Sequence, residues 1–101
     1  MAVINVTSDN FNEIKNSGKT VLLDFYADWC GPCRMVSPII DAIAEENPDI
    51  TVGKINVDSE IELAQAFGVM SIPTIAVLKD GQLVNKSAGA RPKSEILEML
   101  K

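Results

Sequence analysis

A chain of 101 residues that is 47% hydrophobic and 23% charged has the composition of one soluble globular domain, residues 1–101, able to bury about two-thirds of the surface its unfolded form would expose. A formal net charge of −5 opposes a grip on nucleic-acid phosphates or anionic lipid, and no apolar run is long enough to span a bilayer. Two cysteines and no histidine exclude a scaffold stapled by several disulfides and fall short of the four ligands of a structural zinc site.

The first residues, Met1-Ala2-Val3-Ile4-Asn5-Val6, lack the basic start and sustained apolar region of a secretory signal, which predicts a cytoplasmic protein. Val3 to Val6 is a short β-rich run. Thr7-Ser8-Asp9-Asn10 then offers helix-capping side chains ahead of Phe11 and Ile14 at helical spacing, and Gly18 closes that helix. Thr20 to Ala27, TVLLDFYA, is nearly continuous in apolar β-formers, as a central strand covered on both faces should be. WCGPC, residues 29–33, follows directly and holds both cysteines.

From Pro32 to about Glu46, Val36, Ile39, Ile40 and Ile43 recur at helical spacing opposite Asp41, Glu45 and Glu46, which predicts an amphipathic helix with the cysteine pair at its N-terminal end. Pro38 removes a backbone donor inside it and should kink the axis or divide the helix in two. Asn47-Pro48-Asp49 ends the segment. Ile50 to Val57 reads as the next strand, and Asp58-Ser59 caps a helix that runs through Phe67 to a stop at Gly68. Thr74 to Lys79 and Gln82 to Ser87, joined by Asp80-Gly81, give a hairpin signal, because Asp-Gly tolerates the positive φ of a primed turn. Gly89-Ala90-Arg91-Pro92 leads into a last helix with Ile96, Leu97 and Leu100 on its apolar side.

The order β-α-β-α-β-α-β-β-α predicts an α/β fold: a mixed five-stranded sheet, parallel in its first part and closed by an antiparallel hairpin, flanked by four helices on its two faces. In such sheets reactive groups belong at the carboxyl ends of central strands, where WCGPC lies.

At an ordinary pKa of about 8.5, only about 3% of a thiol is ionised at pH 7, so the site must favour the thiolate. A helix N-terminus does so through unpaired N–H groups and the positive end of its dipole, both aimed at Cys30. Pro32 suits the first turn, where its missing N–H would have had no partner, and Gly31 leaves room for another backbone. This arrangement makes Cys30 an exposed attacking thiol and Cys33, one turn inward, the resolving thiol of a disulfide exchange. A bridge across so few residues removes little entropy from the unfolded chain, so redox use outweighs a structural staple. Asp24, inside TVLLDFYA, is either an edge or outward-facing carboxylate or, if its strand is central, a desolvated group with a raised pKa and a candidate proton acceptor near Cys33. Trp29 reads as a core residue or, beside an exposed thiol, as a recognition residue.

VLLDFYADWCGPCRMVSPII, followed by KINVD, FGVMSIPTIAVLKDG and AGA, resembles the thioredoxin family over the whole chain. The resemblance implies the thioredoxin fold and a protein-disulfide reductase that works through a reversible Cys30–Cys33 disulfide. It implies no bound cofactor: electrons come from NADPH through a thioredoxin reductase, the other partners are disulfide-containing proteins, and the chain acts as a monomer. It implies that Asp24 assists deprotonation of Cys33 and that Lys54, which alone reads as a solvated strand residue, neighbours Asp24. It also implies a cis Pro73 beside the cysteines, against the base rate for such bonds. The backbone at Ser71-Ile72 would pair with extended substrate chains, and Trp29, Pro32, Met70, Ile72, Gly89 and Ala90 would form an uncharged docking patch. Tyr26 and Met70 depart from the family's frequent tryptophan and polar or basic residue, which bears on partner preference. The rivals are a non-catalytic binding module built on the same fold, and a disulfide oxidant or isomerase. Against the latter, Pro32 stands where a histidine would stabilise the thiolate.

Overall fold

The computed structural model describes residues 3–101, so Met1 and Ala2 lie outside the described residues. In chain order the elements are β1 (Val3–Asn5), α1 (Phe11–Lys15), β2 (Val21–Tyr26), α2 (Gly31–Glu46), β3 (Thr51–Asn56), α3 (Ile61–Ala66), β4 (Thr74–Lys79), β5 (Gln82–Ala88) and α4 (Lys93–Met99). The sheet has five strands in the order β1-β3-β2-β4-β5, which puts the apolar run of β2 at its centre. β3 pairs parallel with both β1 and β2, while β4 runs antiparallel to β2 and β5 antiparallel to β4. The expected order and mixed pairing are those observed.

Because side chains alternate across a strand, β2 feeds two cores. Val21, Leu23 and Phe25 join Ile55, Ala76 and Leu78 beneath Phe11 and Ile14 of the α1 region and Leu63 and Phe67 of the α3 region. Phe67 meets Phe25 at 5.2 Å and Phe11 at 5.7 Å between ring centroids. On the other face Leu22 packs with Val52, Ile75 and Val77 under Val36, Ile40 and Ile43 of α2 and Ile96 of α4. Asp24 shares this second face, between Leu22 and Tyr26.

Turn chemistry sets the connections. Asp80 (φ 54°) and Gly81 (φ 76°) form the two-residue turn between β4 and β5 with both central residues at positive φ. α3 stops where Gly68 takes φ 65°, its N–H bonding Gln65 O at 3.0 Å while Val69 N reaches Ala64 O at 2.9 Å. α2 runs as one helix of 16 residues through Pro38 rather than as two, and Asn47 closes it with both its backbone N–H and its side-chain amide on Ile43 O.

The residues directly before α1 and α3 make no side-chain cap bond, although Thr7 Oγ1, in the turn ahead of α1, accepts from Asp9 N at 3.2 Å. Asn10 precedes α1 without capping it; its Oδ1 accepts from Thr7 N at 2.8 Å and its Nδ2 donates to Asn5 O at 3.0 Å, tying the turn back to β1. Glu60, not Asp58 or Ser59, precedes α3, also without a cap bond. Among the described residues no helix is long and apolar enough to cross a membrane.

Gly53 lies in β3 between β1 and β2, and a Cβ there would collide with Val6 Cγ2 and sit 3.3 Å from Leu23 Cδ2. Gly53→Ala should therefore destabilise the fold by about 1–3 kcal/mol, read as a lower urea midpoint at unchanged m-value. An unaltered midpoint would mean that this face is less tightly packed than the distances require.

Candidate active site

β2 ends at Tyr26, and the chain turns through Ala27-Asp28-Trp29 with Cys30 N on Ala27 O at 3.2 Å before α2 begins at Gly31. Cys30 is the N-cap of α2: its backbone is extended (φ −89°, ψ 113°) and its Sγ accepts from Cys33 N at 3.2 Å. A sulfur at this place accepts one of the orphan N–H groups of the first turn, an interaction that strengthens when the sulfur carries charge. Pro32 falls within the first turn, as its lack of an N–H allows.

Cys30 and Cys33 form a disulfide with Cα atoms 5.3 Å apart. Both residues are only 4% exposed, so in this form exposure does not distinguish the attacking from the resolving cysteine. This departs from the expectation of an openly exposed Cys30: both sulfurs lie in a small apolar cluster with Ala27, against which Tyr26, Val57 and Ile72 pack.

Asp24 is 1% exposed on the central strand, and neither carboxyl oxygen has a hydrogen-bond partner. The edge or outward-facing alternative therefore fails. Burial pushes its carboxyl up from 3.8 to about 7; the Lys54 ammonium opposes the rise and the Asp41 carboxylate adds to it. Asp24 and Cys33 both line a cleft of about 170 Å³, together with Tyr26, Ser37 and Lys54. Lys54 is the register partner of Asp24 across β2 and β3 and is half-buried rather than freely solvated. Its Nζ lies 5.0 Å from the centre of the Tyr26 ring and 3.5 Å from Ser37 Oγ.

The Ile72-Pro73 peptide bond is cis. Thr74 Oγ1 donates to Ser71 O at 2.6 Å and Gly89 N to Pro73 O at 2.8 Å, so the Ser71-Ile72-Pro73 loop and the Gly89-Ala90 loop are tied together. Trp29 is 69% exposed and Met70 97%, while Gly31, Pro32, Ser71 and Ala90 are also exposed. Trp29 is held by Nε1 donating to Asp58 Oδ2 at 2.8 Å. Sequence reasoning gave Asp58 to a helix cap and passed over Ser37, whose only local signal is its position four residues after Cys33, on the same side of α2. Among the described residues no cluster of three or more His, Cys, Asp or Glu could hold a metal ion.

The family model described as Thioredoxin matches residues 2–101. The chain is similar to a thioredoxin of Mycobacterium tuberculosis (strain CDC 1551 / Oshkosh), 46% identical over 101 residues that cover 98% of this chain and 87% of the relative. It is 43% identical to a thioredoxin of Bacillus subtilis (strain 168), with 99% and 96% covered. Among solved structures it resembles a mutant thioredoxin from Halobacterium salinarum NRC-1, with a TM-score of 0.91, 34% identity, and 97% and 87% of the two chains covered.

Asp24 makes stability fall as pH rises. Its carboxyl holds a proton more tightly folded than unfolded, so the folded state binds more protons between 3.8 and about 7, and the destabilisation is complete above that window. The displacement corresponds to about 4 kcal/mol as an upper bound. Asp24→Asn in the disulfide form should gain on the wild type progressively from pH 4 to pH 7 and level off beyond, in denaturant unfolding at each pH. A pH-independent difference would mean that Asp24 titrates normally.

Proposed function

The chain belongs to the thioredoxin family, whose redox-active cysteine pair makes it a protein-disulfide oxidoreductase acting by dithiol–disulfide exchange, and from this premise we propose the role of each site residue. In the reduced form Cys30 attacks one sulfur of a partner's disulfide as the thiolate. A bond forms between Cys30 Sγ and that sulfur, and the partner's other sulfur leaves as a thiolate. Cys33 then gives its proton to the Asp24 carboxylate and attacks Cys30 Sγ. The intramolecular disulfide closes, the partner's second sulfur leaves, and two electrons have passed from the dithiol to the substrate.

The observation that carries the assignment is the place of Cys30 Sγ at the N-cap of α2, accepting from Cys33 N, with a buried carboxyl in the cleft that Cys33 lines. The orphan N–H groups of the first turn favour the Cys30 anion over the Cys33 anion, which supports Cys30 as nucleophile. Lys54 neighbours Asp24 and adjusts its charge. Gly31 and Pro32 position the first turn, and Pro73 positions the adjacent loop. Ser71 and Ile72 offer backbone to an extended substrate chain, while Trp29, Met70, Gly89 and Ala90 complete an uncharged docking face.

The chain works as a single-domain cytoplasmic monomer, re-reduced by a thioredoxin reductase that draws on NADPH and binding no cofactor itself.

In the NADPH-coupled reduction of insulin disulfides with a thioredoxin reductase, Cys30→Ser should abolish turnover; unchanged turnover would overturn the catalytic assignment. Cys33→Ser should accumulate mixed disulfides with partner proteins, detected on non-reducing gels. If Cys30→Ser traps them and Cys33→Ser does not, the two roles are reversed.

A further inference from the structure

One polar group in the cleft has no part in the exchange chemistry. Ser37 stands one turn after Cys33 on α2, half-buried, and its hydroxyl faces the Lys54 ammonium at 3.5 Å, the long end of a hydrogen bond. The same ammonium lies 5.0 Å from the centre of the Tyr26 ring, within cation–π range. Lys54 and Asp24 are register partners on adjacent parallel strands with side chains on the same face of the sheet. Opposite charges on facing side chains attract, so a direct pair is the arrangement to look for. They have not closed: both Asp24 oxygens are without a hydrogen-bond partner.

The groups that touch the Lys54 ammonium supply the reason. We propose that Ser37 is a positioning residue whose hydroxyl, together with the Tyr26 ring, holds the Lys54 ammonium off the Asp24 carboxyl and leaves that carboxyl free to take the Cys33 proton. The proton-accepting role of Asp24 is the reading above, on which this inference rests; the placement of Lys54 stands on the contacts.

The consequence follows from what a hydrogen-bonded cation does to a carboxylate. Closed onto Asp24, Lys54 would stabilise the ionised form, lower its proton affinity and weaken it as a base at neutral pH. Held at a distance, it moderates the effect of burial without cancelling it. The other charges around the cleft do not substitute for it. Arg34 of α2 donates to Asp28 O at 3.0 Å, Asp41 of α2 is a carboxylate, Asp28 lies exposed in the loop, and β4 presents Ile75 opposite Asp24. Lys54 is therefore the one cation among these neighbours whose placement acts on Asp24, against the larger effect of burial.

The test is a carboxyl titration of Asp24 by carbon-13 NMR in the oxidised full chain. Ser37→Ala should move the Asp24 midpoint downward by about half a pH unit or more, and Ser37→Thr, which keeps the hydroxyl, should restore it. Tyr26→Leu should shift it in the same direction. In a Lys54→Met background, Ser37→Ala should have no further effect, because nothing remains to be held. A midpoint unmoved by Ser37→Ala, or a shift that persists without Lys54, overturns the proposal. Failure of the underlying reading looks different. If the rate at which Cys33 resolves a mixed disulfide is the same in Asp24→Asn, Asp24 is not the proton acceptor, while the titration still decides whether Ser37 places Lys54.

Discussion

A carboxyl group without a hydrogen-bond partner in the middle of the central strand is the constraint around which this protein is organised. Burying an ionised carboxylate is costly enough that the group takes up a proton instead, which is why Asp24 titrates near neutrality. That condition exists only because β2 is flanked by β3 on one side and β4 on the other and is covered by α2 on the face that Asp24 shares. Moving β2 to an edge would hydrate the carboxyl and return it to ordinary behaviour. The strand order and the proton chemistry are thus one fact seen at two scales.

The same crossover that covers Asp24 also creates the cysteine site. α2 must begin where β2 ends, and its first turn presents N–H groups with no partners inside the helix. Cys30 Sγ occupies the place where a serine or aspartate would usually cap, so a sulfur takes the role of the capping oxygen. Further along, Val36, Ile40 and Ile43 anchor α2 in the core, and the helix continues unbroken past Pro38. Tertiary packing on both sides of Pro38 outweighs the single backbone bond that the proline removes.

What was legible in the sequence follows the distance over which each signal acts. The apolar run of β2, the stop at Gly68 and the Asp80-Gly81 turn are written in neighbouring residues, and the structure has them where they were expected. The capping readings held only in part, because a side-chain oxygen bonds whatever donor the fold brings to it: Thr7 accepts from Asp9 N, but Asn10 turned back to β1, and Asp58 took the Trp29 indole from across the chain. The state of Asp24 could be posed only as a pair of alternatives, since burial depends on strand pairing that no local window contains. Ser37 and Lys54 are 17 residues apart and meet only because α2 crosses over β3. The near-complete burial of Cys30 likewise depends on Ile72 and Val57, which arrive from later parts of the chain.

Packing alone gives no reason for a carboxyl at position 24. Leu22 and Ile75 are fully buried neighbours on the sheet, and an aliphatic side chain would suit that environment. The cost of ionising the group, about 4 kcal/mol at most, is a large fraction of the 5–15 kcal/mol by which a typical domain is stable. This destabilising group sits in the central strand and lines a cleft with one of the two cysteines. On the other side of the pair Ile72 packs against the cysteine cluster and Trp29 stands exposed. The cysteines therefore join two kinds of surface: an apolar side with Ile72 and the exposed Trp29, and a polar cleft that Cys33 shares with the buried Asp24 carboxyl.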